Sequence, residues 1–411
     1  MTEPDSTTRS RRLRISDLRG MAQLATDATV GVTGIAEGVH RSIWETIGIQ
    51  GGEQPGRTRG ITGVVYTAVR GVTRVVGRGV DSALAAFQGR FESTDEDGIG
   101  SPRREAILAA LNGVLGDRLA ATTNPFATPM SLRVQGEALD WQAEPVVSEA
   151  TSKVVIAIHG LCMNDLQWRA TRDGSVVDHG HDVAAALGAT TVYVRYNSGL
   201  HIWDNGRELA DRLEQLIERW PVPIDELVVV AHSMGGLVIR SAIHHGQVAG
   251  LSWPSRLTSV VFLATPHHGA PLERAGSWVD KTLTTTPFTA PFAALGMARS
   301  VGITDLRHGA VLDDRTMDAA LEGSRVVPLP EGVACYAVAA TTSGSQRTLA
   351  NRLLGDDGLV PLDSALGRHA DPQRDLGIPP ESQWIAYRTS HLQLLSSPEV
   401  GRQLLSWLAP S

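Results

Sequence analysis

Cysteine is nearly missing from this chain: Cys162 and Cys335 are the two among 411 residues. Two thiols cannot build a disulfide framework, and no C-x-x-C spacing offers a metal or redox site. A reducing compartment is the simpler expectation. Lysine is as scarce. Lys153 and Lys281 stand against 35 arginines, a bias that accompanies abundant Ala and Gly and reads as compositional rather than functional. An excess of positive charge is missing too. The net charge is −7, which gives no ground for binding nucleic acid. Long apolar runs are absent as well. No stretch approaches the roughly 18 consecutive apolar residues of a membrane-spanning helix.

The N-terminus holds one export-like feature. Ser10-Arg11-Arg12-Leu13-Arg14 has the twin-arginine look. Asp17, Arg19 and Asp27 interrupt the apolar region that should follow, and no small-residue cleavage site is evident. The expectation is a cytoplasmic protein with an option of membrane association.

What is present is an ordinary globular composition, 42% hydrophobic and 20% charged, long enough for one large domain and an added segment. Residues 1–14 read as a disordered arm. Residues 15–120 read as a helical N-terminal region. Ile15, Leu18, Met21, Ala25, Ala28 and Val32 recur at helical spacing, and Gly51-Gly52 and Pro55-Gly56 break the pattern. A second helix pattern from Ile61 to Phe87 carries arginines on its other positions, and a third runs around Ile107–Leu119. Two readings stay open. The helices form an appendage packed by its apolar stripes, or the basic second helix rests on anionic lipid, a peripheral membrane contact. Residues 121–150, with Pro125, Pro129 and Pro145, read as a connector holding one strand near Met130–Val134.

From residue 151 to 411 strands and helices alternate, the pattern of a mostly parallel sheet. Strands are expected at Val154–Ile158, Thr191–Tyr196, Glu226–Ala231, Leu257–Ala264, Val333–Ala339 and Gln383–Tyr387. Residues 275–330 interrupt the alternation with Trp278, Leu283, Phe288 and Phe292 among Thr and Pro. They are expected to form a cap or lid, the alternative being a surface loop with its own apolar cluster.

The chain is organised around Ala231-His232-Ser233-Met234-Gly235-Gly236. An apolar run stops, a serine sits at a sharp turn, and a helix begins. This is a nucleophile elbow, in which the serine hydroxyl is pushed out above the sheet. Ala231 and Gly235 supply the small side chains that the turn needs. A serine hydroxyl attacks well only when a base takes its proton, and the base is usually a histidine oriented by a carboxylate. Gly355-Asp356-Asp357-Gly358-Leu359-Val360-Pro361 offers the acid, Asp357, with Asp356 its nearest rival and Asp363 a weaker one. Thr389-Ser390-His391-Leu392 offers the base, His391, just past a strand. His369 sits in a polar loop without one. An oxyanion needs two N–H donors. Met234, after the nucleophile, and Leu161, in His159-Gly160-Leu161, are the candidates. His159, His232 and His267 are assigned to the wall of the site. His179-Gly180-His181-Asp182 has no downstream partner and reads as a solvated loop rather than a metal site. Cys162 reads as packing.

These motifs resemble those of bacterial lipases and esterases of the α/β-hydrolase fold. Val194-Arg195-Tyr196-Asn197-Ser198-Gly199 and Asn205-Gly206-Arg207-Glu208-Leu209 are similar to sequences of GPI inositol-deacylase-like hydrolases. The resemblance covers about residues 150–408. It implies an α/β-hydrolase fold with a mostly parallel central sheet, an inserted cap and an N-terminal helical extension. It also implies a serine ester hydrolase acting through Ser233, Asp357 and His391 on an ester or lipid-like substrate, with no metal or organic cofactor. An acyltransferase or thioesterase would use the same machinery. A non-catalytic adaptor working through the N-terminal helices belongs to a different class altogether.

Overall fold

The chain's alternating pattern becomes one eight-stranded sheet in the computed structural model, which describes residues 19–20, 22–23, 102–142, 147, 149–172, 174–270, 300–313, 327–344 and 357–409. Most of the expected region 15–120, residues 275–299 and 314–326 of the expected cap, and Asp356 lie outside these. Two compact units are distinguished. In the first, the Gln23 amide donates to the Thr122 carbonyl at 2.7 Å and the Asn124 amide to the Gly20 carbonyl at 3.3 Å.

The second unit spans 101–118 and 128–411. Helix α1 (Pro102–Ala121) leads into strands β1 (Ser131–Val134) and β2 (Glu137–Ala138). Strand β3 (Lys153–Ile158), the hairpin β4 (Ala170–Arg172) and β5 (Ser175–Val177), helix α2 (His179–Leu187) and strand β6 (Thr190–Arg195) follow. Then come α3 (Ile202–Arg219), β7 (Glu226–His232), α4 (Met234–Val248), β8 (Leu257–Leu263), α5 (Val301–His308) and β9 (Ala334–Thr341). The short α6 (Leu362–Ala365), β10 (Gln383–Tyr387) and α7 (Pro398–Leu408) close the chain. The sheet order is β10-β9-β8-β7-β3-β6-β1-β2. The six strands from β10 to β6 are parallel, and β1 and β2 add antiparallel at one edge.

Both faces of the central strands are covered, so their residues read as continuous apolar runs rather than as alternation. Val155 and Ala157 of β3, Val228 and Val230 of β7, and Val261 and Leu263 of β8 share a cluster with Val183 of α2 and Leu404 of α7. On the other face α4 packs against β7 and β3, and α3 against α4. Leu209, Leu213 and Leu216 make the buried stripe of α3.

Three boundaries differ from the sequence reading. Residues 102–118 belong to the hydrolase unit, not to a separate helical region, because α1 packs on the loops after β3 and β6. The connector supplies two strands of the main sheet rather than one. Within the expected cap, residues 301–308 are a helix seated on the body of the fold. The space that a Cβ on Gly302 would fill is taken by the Ser198 and Leu200 carbonyls and the Met234 side chain.

The chain passes from β3 to β6 on one side and returns to β7 on the other. The strand order therefore reverses between β3 and β7, the position where open parallel sheets leave a crevice beyond their C-terminal ends.

Candidate active site

Backbone strain gathers at that edge. Among the non-glycine residues with positive φ are Cys162 beyond β3 (φ 58°), Ser233 beyond β7 (φ 52°), Ala264 beyond β8 (φ 48°) and Arg388 beyond β10 (φ 53°). A side-chain-bearing residue held in such a region costs on the order of 1–3 kcal/mol and persists only where its surroundings fix it. Ser233 is fixed on both sides. Its N–H donates to the Leu263 carbonyl at 2.8 Å, and its own carbonyl accepts from Gly236 N–H at 3.0 Å. The small neighbour Gly235 is needed, though the crowding comes from the adjacent strand. A Cβ there would lie 2.6 Å from the carbonyl oxygens of Ile158 and His159, at the end of β3.

Asp357 and His391 meet across loops beyond β9 and β10. His391 Nδ1 lies 2.6 Å from Asp357 Oδ2. The other carboxylate oxygen accepts from Leu359 N–H at 2.9 Å and Val360 N–H at 2.8 Å. The His391 N–H donates to the Asp357 carbonyl at 3.1 Å. Both side chains are buried. Burial pushes the Asp357 carboxyl up, but His391 and the two backbone N–H groups together outweigh it and hold the group below its usual range. A carboxylate only accepts, so Nδ1 carries the proton and Nε2 is left as an acceptor. Asp356 lies outside the described residues, whereas Asp363 sits on α6.

Ser233 and His391 line one narrow cavity that is partly open to solvent. Its remaining wall includes Leu161, Met163, Leu306, Leu359, Val360 and Leu392. Leu392 is 43% exposed, a large apolar side chain left at the rim. Among the described residues, no hydrogen bond engages the N–H of Leu161 or of Met234.

Of the three histidines assigned to the wall, only His232 reaches the cavity. Its Nε2–H donates to the His391 carbonyl at 3.2 Å, and its ring lies 4.7 Å from that of His391. Burial, and then His391, push its pKa down to about 3. His159 does not line the cavity and is stacked on Tyr196 with ring centroids 4.3 Å apart. Its Nδ1–H donates to the Gly160 carbonyl at 2.9 Å and its Nε2 accepts from Tyr196 N–H at 3.3 Å. Burial lowers its pKa to about 4. The Tyr196 hydroxyl donates to the His159 carbonyl at 2.9 Å. His267 turns away, toward the Phe262 ring and the buried guanidinium of Arg240, which donates to His267 Nδ1 at 3.3 Å. Burial, and then Arg240, hold His267 well below its ordinary pKa. The sequence reading missed the supporting part of Tyr196. A Tyr directly after a strand beside the H-G dipeptide was the available signal.

His179 and His181 serve the fold. The Asp178 carboxylate accepts from His181 N–H at 3.1 Å at the start of α2, and His179 Nε2–H donates to the Leu394 carbonyl at 2.8 Å.

Residues 148–310 match the protein family described as "Putative serine esterase (DUF676)". No curated protein sequence matches the chain. Among solved structures it is similar to the mature form of the Bacillus licheniformis lipase BlEst2, at 16% identity and a TM-score of 0.42, over 69% of this chain and 100% of that one. The Pyrococcus furiosus esterase Pf2001 is similar at 16% identity and 0.35, over 63% and 85%. An α/β-hydrolase superfamily protein from Enterococcus faecalis is similar at 14% identity and 0.35, over 68% and 94%. None of these matches carries the narrower likeness to GPI inositol-deacylase-like proteins. The match over residues 148–310 and the order of the sheet agree: the chain has an α/β-hydrolase fold, and within it residues 148–310 are similar to the serine esterase family.

Proposed function

We propose that this protein hydrolyses carboxylic esters with apolar acyl groups through an acyl-enzyme on Ser233. One observation carries the reading: Ser233, on its strained turn, shares a cavity with His391, whose Nδ1–H donates a hydrogen bond to the buried Asp357 carboxylate. His391 Nε2 is then free to take the Ser233 proton as Oγ attacks the ester carbonyl. The oxygen of the tetrahedral intermediate accepts from the N–H groups of Leu161 and Met234, the latter at the positive end of α4. Collapse expels the alcohol, which takes its proton from His391. Water repeats the sequence on the acyl-enzyme and releases the acid. Asp357 keeps the imidazole in the right tautomer and stabilises its charged form.

The apolar wall formed by Met163, Leu306, Val360 and Leu392 favours a hydrocarbon acyl group, and hence a lipid-like ester. The test is hydrolysis of p-nitrophenyl esters of increasing chain length, with a fluorophosphonate probe reporting the nucleophile. Ser233→Ala should abolish labelling and lower kcat by about 10⁶. A wild-type protein that neither labels nor hydrolyses any ester ends the proposal. Labelling that survives in Ser233→Ala moves the nucleophile elsewhere.

A further inference from the structure

Helix α1 lies wholly before the family match, which begins at residue 148. Yet it is bound to the short loop that presents Leu161. Cys162, the next residue, has φ 58° and is held by α1 and its neighbours. Its N–H donates to Ser198 Oγ at 3.0 Å, and its Sγ lies 3.7 Å from the Ala110 carbonyl of α1. Gly113 of α1 abuts it. A Cβ on Gly113 would come within 2.2 Å of Cys162 Sγ and 2.9 Å of both its Cα and its N. At the far end of the loop, the Asn164 amide donates to the Glu105 carbonyl of α1 at 3.0 Å. The Glu105 carboxylate pairs with Arg195 at 2.7 Å, and Arg195 also pairs with Asp165, the residue after Asn164. Asp165 takes a second cation, Arg133, at 3.1 Å.

The helix is itself anchored. The Ser300 hydroxyl donates to the Gly113 carbonyl at 2.6 Å, and Val301 N–H to the Asp117 carboxylate at 3.1 Å. Gly116, one turn past Gly113, faces Asn197. The Asn197 amide donates to its carbonyl at 2.9 Å, and a Cβ there would overlap the Asn197 side chain at 1.8 Å. Two glycines inside a helix weaken it. Here they let its backbone meet two loops directly.

We propose that α1 is a positioning element of the active site, a backbone clamp that fixes the Leu161 N–H for the oxyanion. Gly113 and Asn164 are its contact points. The proposal rests on the esterase reading above. The clamp's contacts are with Cys162 and Asn164, on either side of Met163, and none engages the Asp357–His391 pair, so loosening it lowers transition-state stabilisation more than ground-state binding.

The test uses the full chain. Gly113→Ala and Asn164→Ala are compared with wild type in p-nitrophenyl ester hydrolysis, with the active fraction counted by fluorophosphonate titration. Inhibition by a trifluoromethyl ketone, which forms a tetrahedral oxyanion on the nucleophile, is measured alongside. We expect kcat per titrated site to fall at least tenfold with KM within about twofold, against the hundredfold or greater loss typical when one such donor is removed. The ketone's inhibition constant should rise in proportion to the fall in kcat/KM. Should Gly113→Ala fail to fold, Asn164→Ala decides alone. Unchanged kcat per titrated site, or a loss confined to the titre or to KM, overturns the clamp. A wild type with no hydrolysis and no labelling fails the esterase reading, and the clamp falls with it.

Discussion

The two sides of the cavity are held by different physics. On the β3–β7 side, Ser233 and the Leu161 loop are fixed by backbone contacts and by imidazoles that stay neutral. His232 and His159 are buried, with pKa values lowered to about 3 and about 4. On the β9–β10 side, the decisive contact joins two side chains, His391 and Asp357, and works only while the carboxylate is charged. In the proposed mechanism the first side sets where the oxyanion forms, and its two imidazoles keep their protonation while Ser233 is acylated. The second must pick up and return a proton. A site built this way separates rigidity from protonation chemistry.

After loss of the Ser233 hydroxyl itself, the largest expected effect breaks the charged side. Asp357→Asn leaves the shape and removes the charge that sets the tautomer, so kcat should fall by about 10³–10⁴ with the fold intact, as read by ester kinetics and circular dichroism. Retained activity would shift the acid to Asp356.

Lowering the pH distinguishes the two sides next. A histidine whose folded pKa lies below its unfolded value near 6.5 stays neutral in the fold while the unfolded chain takes up protons. Its contribution is complete above pH 6.5 and is lost as pH falls toward the folded value. By pH 5 His232 and His159 should each remove about 2 kcal/mol of stability. Asp357, held below its ordinary range, keeps its contribution until the pH falls below about 4. Urea midpoints at pH 7 and pH 5 check this: wild type should lose stability over that interval, and His232→Gln should lose less. An equal loss in both removes His232 from the account.

The smallest effect belongs to the neutral side. Tyr196→Phe deletes one hydrogen bond and leaves the His159 carbonyl short of a donor, for about 1 kcal/mol of stability. Chemical denaturation resolves that size.

Much of this was legible in the sequence. The six parallel strands appear at the expected positions, and β10 has the expected bounds, because strands covered on both faces are apolar throughout. Ser233, Asp357 and His391 can be picked out as candidates from the sequence because each follows a strand and carries its own turn chemistry: small residues for the elbow, Asp-Gly for the acid loop. The support around them was not. Nothing near Gly113 or Gly116 marks them as contact residues, since a glycine in a helical pattern reads as a weakness until its neighbour is known. His159 and His267 were assigned to the wall from their places beside strand ends. The direction of a side chain there depends on Tyr196 and Arg240, partners far along the chain or on another element. The antiparallel edge strand β2 is two residues long, too short for any period to register.

The contact between Gly113 and Cys162 also bears on where this protein can be cut. Trimming to residue 148, where the family match starts, would remove α1, β1 and β2 together. Arg195 would lose Glu105, Asp165 would lose Arg133, and the sheet would gain an open edge at β6. The shortest piece that keeps these contacts starts no later than Pro102, so the unit that can be inherited, transplanted or shortened as one part is longer than the family match by at least one helix and two strands.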